Sequence, residues 1–200
     1  MDISERIKQH FNDSIHTKIM AADLLVENIQ RAAEILVTAL LSNNKILTCG
    51  NGGSAANAQR FAEILLNRFE TERPGLPALS LSVGGALLTS IADDFHYSEI
   101  FAKQIEALGQ ANDVLVVFSP HGDSKNICDA IETAHQRDMR VIALTGRDGG
   151  EAGTLLDTHH DLEIRVPSDT PARIKETHLL IIHALCDAVD LSLFATEEPA

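Results

Sequence analysis

The strongest constraint on this chain is an alternation of short apolar runs with amphipathic stretches of about a dozen residues. Five runs read as strands, over residues 45–50, 76–81, 113–119, 139–145 and 162–166. The run Asp113-Val-Leu-Val-Val-Phe-Ser119 is apolar without a break inside its ends, the pattern of a strand covered on both faces. Between the runs, apolar residues recur at helical spacing: after Ser54 through Phe69, over 84–109 as one or two helices, over 124–137 and over 170–194. Such alternation predicts βαβ units with right-handed crossovers. The expected fold class is α/β, a five-stranded parallel sheet flanked by helices in three layers.

The first 42 residues lie outside that rhythm. Ile7, Phe11, Ile15, Ile19, Ala22 and Leu25 recur at helical spacing, and Ile29, Ala33, Ile35, Leu36, Leu40 and Leu41 do so again. A break near residues 25–28 predicts an N-terminal helical hairpin. This arm (1–42) is too short and too apolar to stand alone, so its second stripe must pack on the sheet or on another subunit. The expectation is a single domain over 1–200, with the arm in oligomer contacts and an α/β core over 43–196.

Composition removes several function classes. The formal net charge is −13, from 29 acidic and 16 basic residues. Broad electrostatic nucleic-acid binding needs a basic face, so direct nucleic-acid contact is not expected. No apolar run approaches the ~20 residues of a membrane span. The polar start is unlike a secretory leader. Cys49, Cys128 and Cys186 share no metal-ligand spacing and read as buried, reduced thiols of a cytoplasmic protein.

Chemistry is expected where strands end. In an open parallel sheet, ligands sit outside the carboxyl ends of the strands. Cys49-Gly-Asn-Gly-Gly-Ser54 runs from strand through glycine loop to helix, so backbone N–H groups can approach an anion and Ser54 can donate its hydroxyl. Ser119-Pro-His-Gly-Asp-Ser124 repeats the arrangement with two serines. The competing reading makes both loops ordinary strand-to-helix turns with serine as the helix cap. Neither loop is a Walker P-loop or a dinucleotide fingerprint. Two such loops in one small domain favour a small phosphorylated ligand.

Five segments together resemble the sugar isomerase (SIS) domain family: Cys49-Gly-Asn-Gly-Gly-Ser54, Asn67-Arg-Phe69 with Arg73-Pro, Ile91-Ala-Asp-Asp-Phe95, Ala143-Leu-Thr-Gly146 with Asp148-Gly-Gly, and Arg173-Ile-Lys-Glu-Thr-His178. The subgroup is that of phosphoheptose isomerase and its paralogue, the DnaA initiator-associating protein. The resemblance implies a flavodoxin-like SIS fold, a homotetramer and a sugar-phosphate site near subunit interfaces. It implies substrate binding at Asn51, Gly52, Gly53, Ser54, Asp94, Ser119 and Ser124. The second loop departs from the family's usual Ser-Thr-Ser-Gly-Asn-Ser: Pro120 removes a donor, His121 replaces a serine, and Asp123 brings a negative charge.

The family's metal positions depart further. Isomerases hold zinc with a His and a Glu four residues apart on the helix after the first loop, and with a Gln and a His on the last helix. Those positions are Arg60, Ile64, Lys175 and His183 here. Arginine does not ligate zinc, and isoleucine neither ligates nor accepts a proton. The residues therefore predict no zinc unless the chain is an isomerase, no catalytic group beyond a vestigial His183, and two fixed charges, Arg60 and Lys175, in place of the metal. Lys175 joins the expected ligand-binding set.

The resulting expectation is a non-catalytic, tetrameric regulator of replication initiation that binds the initiator protein DnaA through its acidic surface. Leu193 and Phe194, before an acidic tail (197–200), are its candidate partner contacts. The alternatives are a phosphoheptose isomerase acting on sedoheptulose 7-phosphate and a sugar-phosphate sensor. His159 and His160 read as a solvated loop, and His178 as facing either the pocket or a subunit contact.

Overall fold

The computed structural model describes residues 2–194, so the acidic tail lies outside the described residues. A five-stranded, wholly parallel sheet has the order β2-β1-β3-β4-β5, with β1 Ile46–Gly50, β2 Ala78–Ser80, β3 Val114–Phe118, β4 Arg140–Gly146 and β5 Leu162–Val166. The order reverses between β1 and β3. The crevice at such a reversal is where α/β sheets bind ligands.

The period-2 alternation of strand side chains sorts the core into two layers. On one side Ile46, Val114, Val116, Phe118, Ile142, Leu144 and Ile164 pack under helices α1 (Ile3–Leu41), α2 (Gly53–Leu66) and α7 (Pro171–Phe194). On the other, Leu47, Cys49, Leu115, Val117, Val141 and Ala143 pack under α3 (Gly85–Asp94), α4 (Ala102–Leu108), α5 (Lys125–Gln136) and α6 (Gly150–Leu155). The largest fully buried side chains include Phe61, Phe101 and Phe118. Each such ring contributes roughly 1.5–3 kcal/mol by leaving water. The three cysteines are buried and unpaired, and burial pushes the Cys49 thiol far up, Cys128 up to about 11 and Cys186 up to about 12.

The N-terminal arm is one unbroken 39-residue helix, not a hairpin. Residues 25–28 hold no Gly or Pro, and a helix without a breaker continues when tertiary packing supports it. Asn28 Nδ2 donates to the Glu163 carbonyl at 3.0 Å, fixing the helix against β5 at the expected break. The buried stripe, Thr17, Ala21, Leu25, Ala32, Ala33, Leu36 and Ala39, packs against the core. The stripe expected from sequence at Ile7, Phe11, Ile15 and Ile19 faces outward instead.

Helix α7 is long and apolar enough to cross a membrane by composition alone. Here it is a core helix: Ile174, Ile181, Ile182, Leu185, Cys186 and Val189 are buried in the first layer. Leu193 is partly buried against the same layer, and Phe194 is 36% exposed with the Arg73 guanidinium over its ring at 6.0 Å. The Arg73-Pro segment has a structural role. The Arg73 side chain is fully buried; it pairs with Asp190 at 2.6 Å and donates to the carbonyls of Ile64 and Leu65, closing the end of α2. A buried pair whose remaining donors are satisfied in this way is costly to break from either side.

Candidate phosphosugar cleft

The carboxyl ends of β1 and β3 meet at a cleft of about 160 Å³ lined by residues of both serine loops and by Lys175. The first loop turns sharply. A Cβ on Gly50 would stand 2.7 Å from the Ser54 backbone, so only glycine lets β1 end this close to the start of α2. Ser54 is 1% exposed, and its Oγ is buried without a hydrogen-bond partner among the described residues. A buried hydroxyl left unpaired costs about 1–3 kcal/mol, so the site is built for an occupant that satisfies it.

The second loop supplies Ser119, 4% exposed, whose Oγ accepts the Gly122 N–H at 3.1 Å, together with His121 and Ser124. Ser124 begins α5, yet its side chain makes no cap bond, and neither does any side chain at the start of α2. The competing reading of both serines as ordinary helix caps therefore fails: their hydroxyls remain available to a ligand. His121 Nδ1 is a second buried atom without a partner.

Asp123 does not line this cleft. Its Oδ1 accepts the Glu151 N–H at 3.3 Å, at the start of α6, so the charge that sequence places beside a phosphate is turned toward the loop after β4. Gly122, at φ +75°, seats the second loop against the Gly149 backbone.

Asn51 and Asn126 exchange two side-chain amide bonds at 2.8 Å, and Tyr97 donates its hydroxyl to Asn51 Oδ1 at 3.0 Å. This reciprocal pair ties the first loop to α5, and so to the second. Sequence reasoning missed Asn126 and Tyr97, because no local pattern announces a pair 75 residues apart. Asp94 is exposed and is not brought to the cleft.

The four altered metal positions do not converge. Arg60 turns out to Glu63, at 2.9 and 3.1 Å, with 46% of its side chain exposed. Ile64 is 1% exposed inside the core. His183 stacks on Phe69 at 5.6 Å. Lys175 alone reaches the cleft. No three His, Cys, Asp or Glu side chains among the described residues are grouped to hold a metal ion, so these residues do not fit zinc. The expected pair of replacement charges is thus one charge: Arg60 is committed to a surface ion pair.

His178 faces neither the pocket nor a subunit contact. It is fully buried, with Nε2 2.9 Å from the Thr145 carbonyl and its ring against Phe118. Burial, assisted by nearby Lys175, holds its pKa down to about 4, against the opposing bond to Thr145. It therefore donates as a neutral imidazole.

The SIS domain pattern matches residues 10–146. The chain belongs to the SIS domain family. Curated SIS relatives named phosphoheptose isomerase include one from Alkalilimnicola ehrlichii, 55% identical over 194 residues (97% of this chain, 98% of the relative). Another, from Coxiella burnetii, is 54% identical over 198 residues (99% of each). Among solved structures, the phosphoheptose isomerase of Francisella tularensis matches with TM-score 0.92 and 46% identity over 95% of this chain and 99% of that one. That of Neisseria gonorrhoeae matches with TM-score 0.90 and 44% identity over 94% and 99%.

These relatives overturn the expectation of a non-catalytic, DnaA-binding regulator of replication. Relatives that share 53–55% identity over nearly the full length carry the name phosphoheptose isomerase. Altered residues at the family's metal positions do not by themselves imply a lost reaction.

Proposed function

We propose that this SIS chain is a phosphoheptose isomerase, interconverting the ketose and aldose forms of a seven-carbon sugar phosphate such as sedoheptulose 7-phosphate. The observation that carries the reading is the unpartnered, buried Ser54 hydroxyl at the N-terminus of α2, facing the same small cleft as Ser119, Ser124 and Lys175. Hydroxyl donors, a helix N-terminus and an ammonium group together suit a phosphate dianion.

Isomerisation moves a proton between adjacent carbons through an enediolate, which needs a proton acceptor and a positive group near the developing oxyanion. His121, with its buried and unpaired Nδ1, is the cleft-lining side chain suited to exchange the proton. Lys175 is the cleft's cation. Gly52 and Gly53 keep the backbone open at the helix start, and Asn51 positions the loops through Asn126.

The assembly belongs to the same proposal. Ile3, Ile7, Phe11, Ile15 and Ile19 form an exposed stripe repeating every four residues, each 53–77% exposed, which supports helix-to-helix packing in a homotetramer. Light scattering on a Phe11→Asp, Ile15→Asp variant should show smaller particles than the parent. We place the activity in the cytoplasm, a setting the three unpaired thiols suit.

The functional reading is tested by incubating the purified chain with sedoheptulose 7-phosphate and resolving aldose from ketose, with zinc and with a chelator. Conversion above the protein-free rate supports it. Saturable binding of the sugar phosphate without any turnover overturns the isomerase assignment.

A further inference from the structure

Resting on that reading of the cleft, we propose that the sugar phosphate is bound without a metal ion, the Lys175 ammonium supplying the positive charge. Lys175 projects from the first turns of α7 across to the start of α2. A Cβ built on Gly53 would stand 3.3 Å from Lys175 Cδ and 3.5 Å from Nζ, so the ammonium lies against the first turn of α2, beside Ser54. A Cβ at 53 would crowd the lysine stem, which glycine leaves free.

The backbone that carries it is held from behind. Asn57 Nδ2 donates to the Lys175 carbonyl at 3.0 Å, fixing this turn of α7 to α2. Neighbouring charges on α7 are already paired: Arg173 with Glu176 at 3.3 Å, and Glu176 with Lys18 at 3.8 Å. Lys175 has no carboxylate partner among the described residues, yet it sits where the N-terminus of a 14-residue helix already carries positive character. Two positive sources placed together repel unless an anion joins them. The buried, unpartnered Ser54 Oγ at the same place is an independent sign of a missing ligand. The remaining altered positions cannot assemble a metal set, because Arg60 is held by Glu63, Ile64 is core and His183 lies against Phe69.

The experiment is calorimetric titration of the full chain with sedoheptulose 7-phosphate and, separately, with inorganic phosphate. Each titration is run after exhaustive chelation and again with added zinc, on the parent, Lys175→Gln and Lys175→Arg. The expected result is the same parent affinity in both conditions within twofold. Lys175→Gln should weaken both ligands about tenfold or more, the size of one charge-assisted hydrogen bond, and Lys175→Arg should recover most of the loss. Sugar-phosphate binding that disappears on chelation and returns with zinc overturns the proposal and leaves the functional reading standing. So does Lys175→Gln binding as tightly as the parent. Failure of the parent to bind either ligand in either condition overturns both.

Discussion

The first turn of α2 and the face of the same helix two turns later make an instructive pair. At the first turn, Ser54 is buried with an unused hydroxyl, and Gly53 leaves space that Lys175 enters. Two turns on, at Arg60 and Ile64, every group is committed. The guanidinium is paired with Glu63, and the isoleucine is sealed into the core with Phe61 and Leu65. One helix thus carries an open, polar, anion-ready end and a closed, structural middle. Unsatisfied polarity marks the former, and completed contacts mark the latter.

The sharpest way to break the comparison is to force chemistry back onto the closed region. Ile64→Glu buries a carboxylate without a partner, and should lower stability by about 3 kcal/mol or more. Thermal unfolding should show it as a fall of roughly 6–12 °C for a chain of this size. A variant as stable as the parent would mean that position 64 is open to solvent or to a ligand.

His178 tests the floor beneath the open end. Its pKa is held at about 4 in the folded chain, below the ordinary 6.5, mainly by burial. The unfolded chain therefore binds more protons between those values, and stability rises with pH across the window. Relative to pH above 6.5, unfolding free energy should fall by up to about 3 kcal/mol as pH drops to 4. Denaturant titrations of His178→Gln, compared with the parent, should show a flatter profile over this range. An unchanged slope would place the titration elsewhere.

At the open end, Ser54→Asp puts a carboxylate where the anion sits. Sugar-phosphate affinity should drop about a hundredfold, roughly 2.7 kcal/mol, while the circular dichroism spectrum is preserved. Ser54→Ala should cost about tenfold, the loss of one donor to a charged group. Equal binding by all three chains would remove the cleft as the site.

The smallest effect belongs to Arg60. Its pairing with Glu63 is exposed, and such pairs contribute about 0–1 kcal/mol. Arg60→Ala should change turnover and sugar-phosphate affinity less than twofold. A tenfold loss would show that Arg60 leaves Glu63 to serve the ligand.

The legible and illegible parts of this chain divide along the same line. The β3 run Val114–Phe118 could be read as a doubly covered strand, because burial on both faces leaves no polar position in it. The helix α6 is illegible in the sequence, since its six residues, Gly150 through Leu155, are too few to show a period. The unbroken α1 resembles two helices in the sequence, because the change of stripe near residue 25 looks like a break when it is only a change of what the helix faces.

The chain's order of residues determined the five-stranded parallel sheet and the two serine loops at strand ends, while the reversal of strand order between β1 and β3 came with the fold. Hydrophobic period and glycine placement act over a few positions and are written locally. The tertiary structure alone decided which of those loop groups are free to act. Asp123 is drawn off to α6, Arg60 turns out to Glu63, Asn51 is locked to Asn126, and Lys175 crosses from α7 to stand over the first turn of α2. Whether a polar atom is satisfied depends on partners that can be more than a hundred residues away, and only folding brings those together.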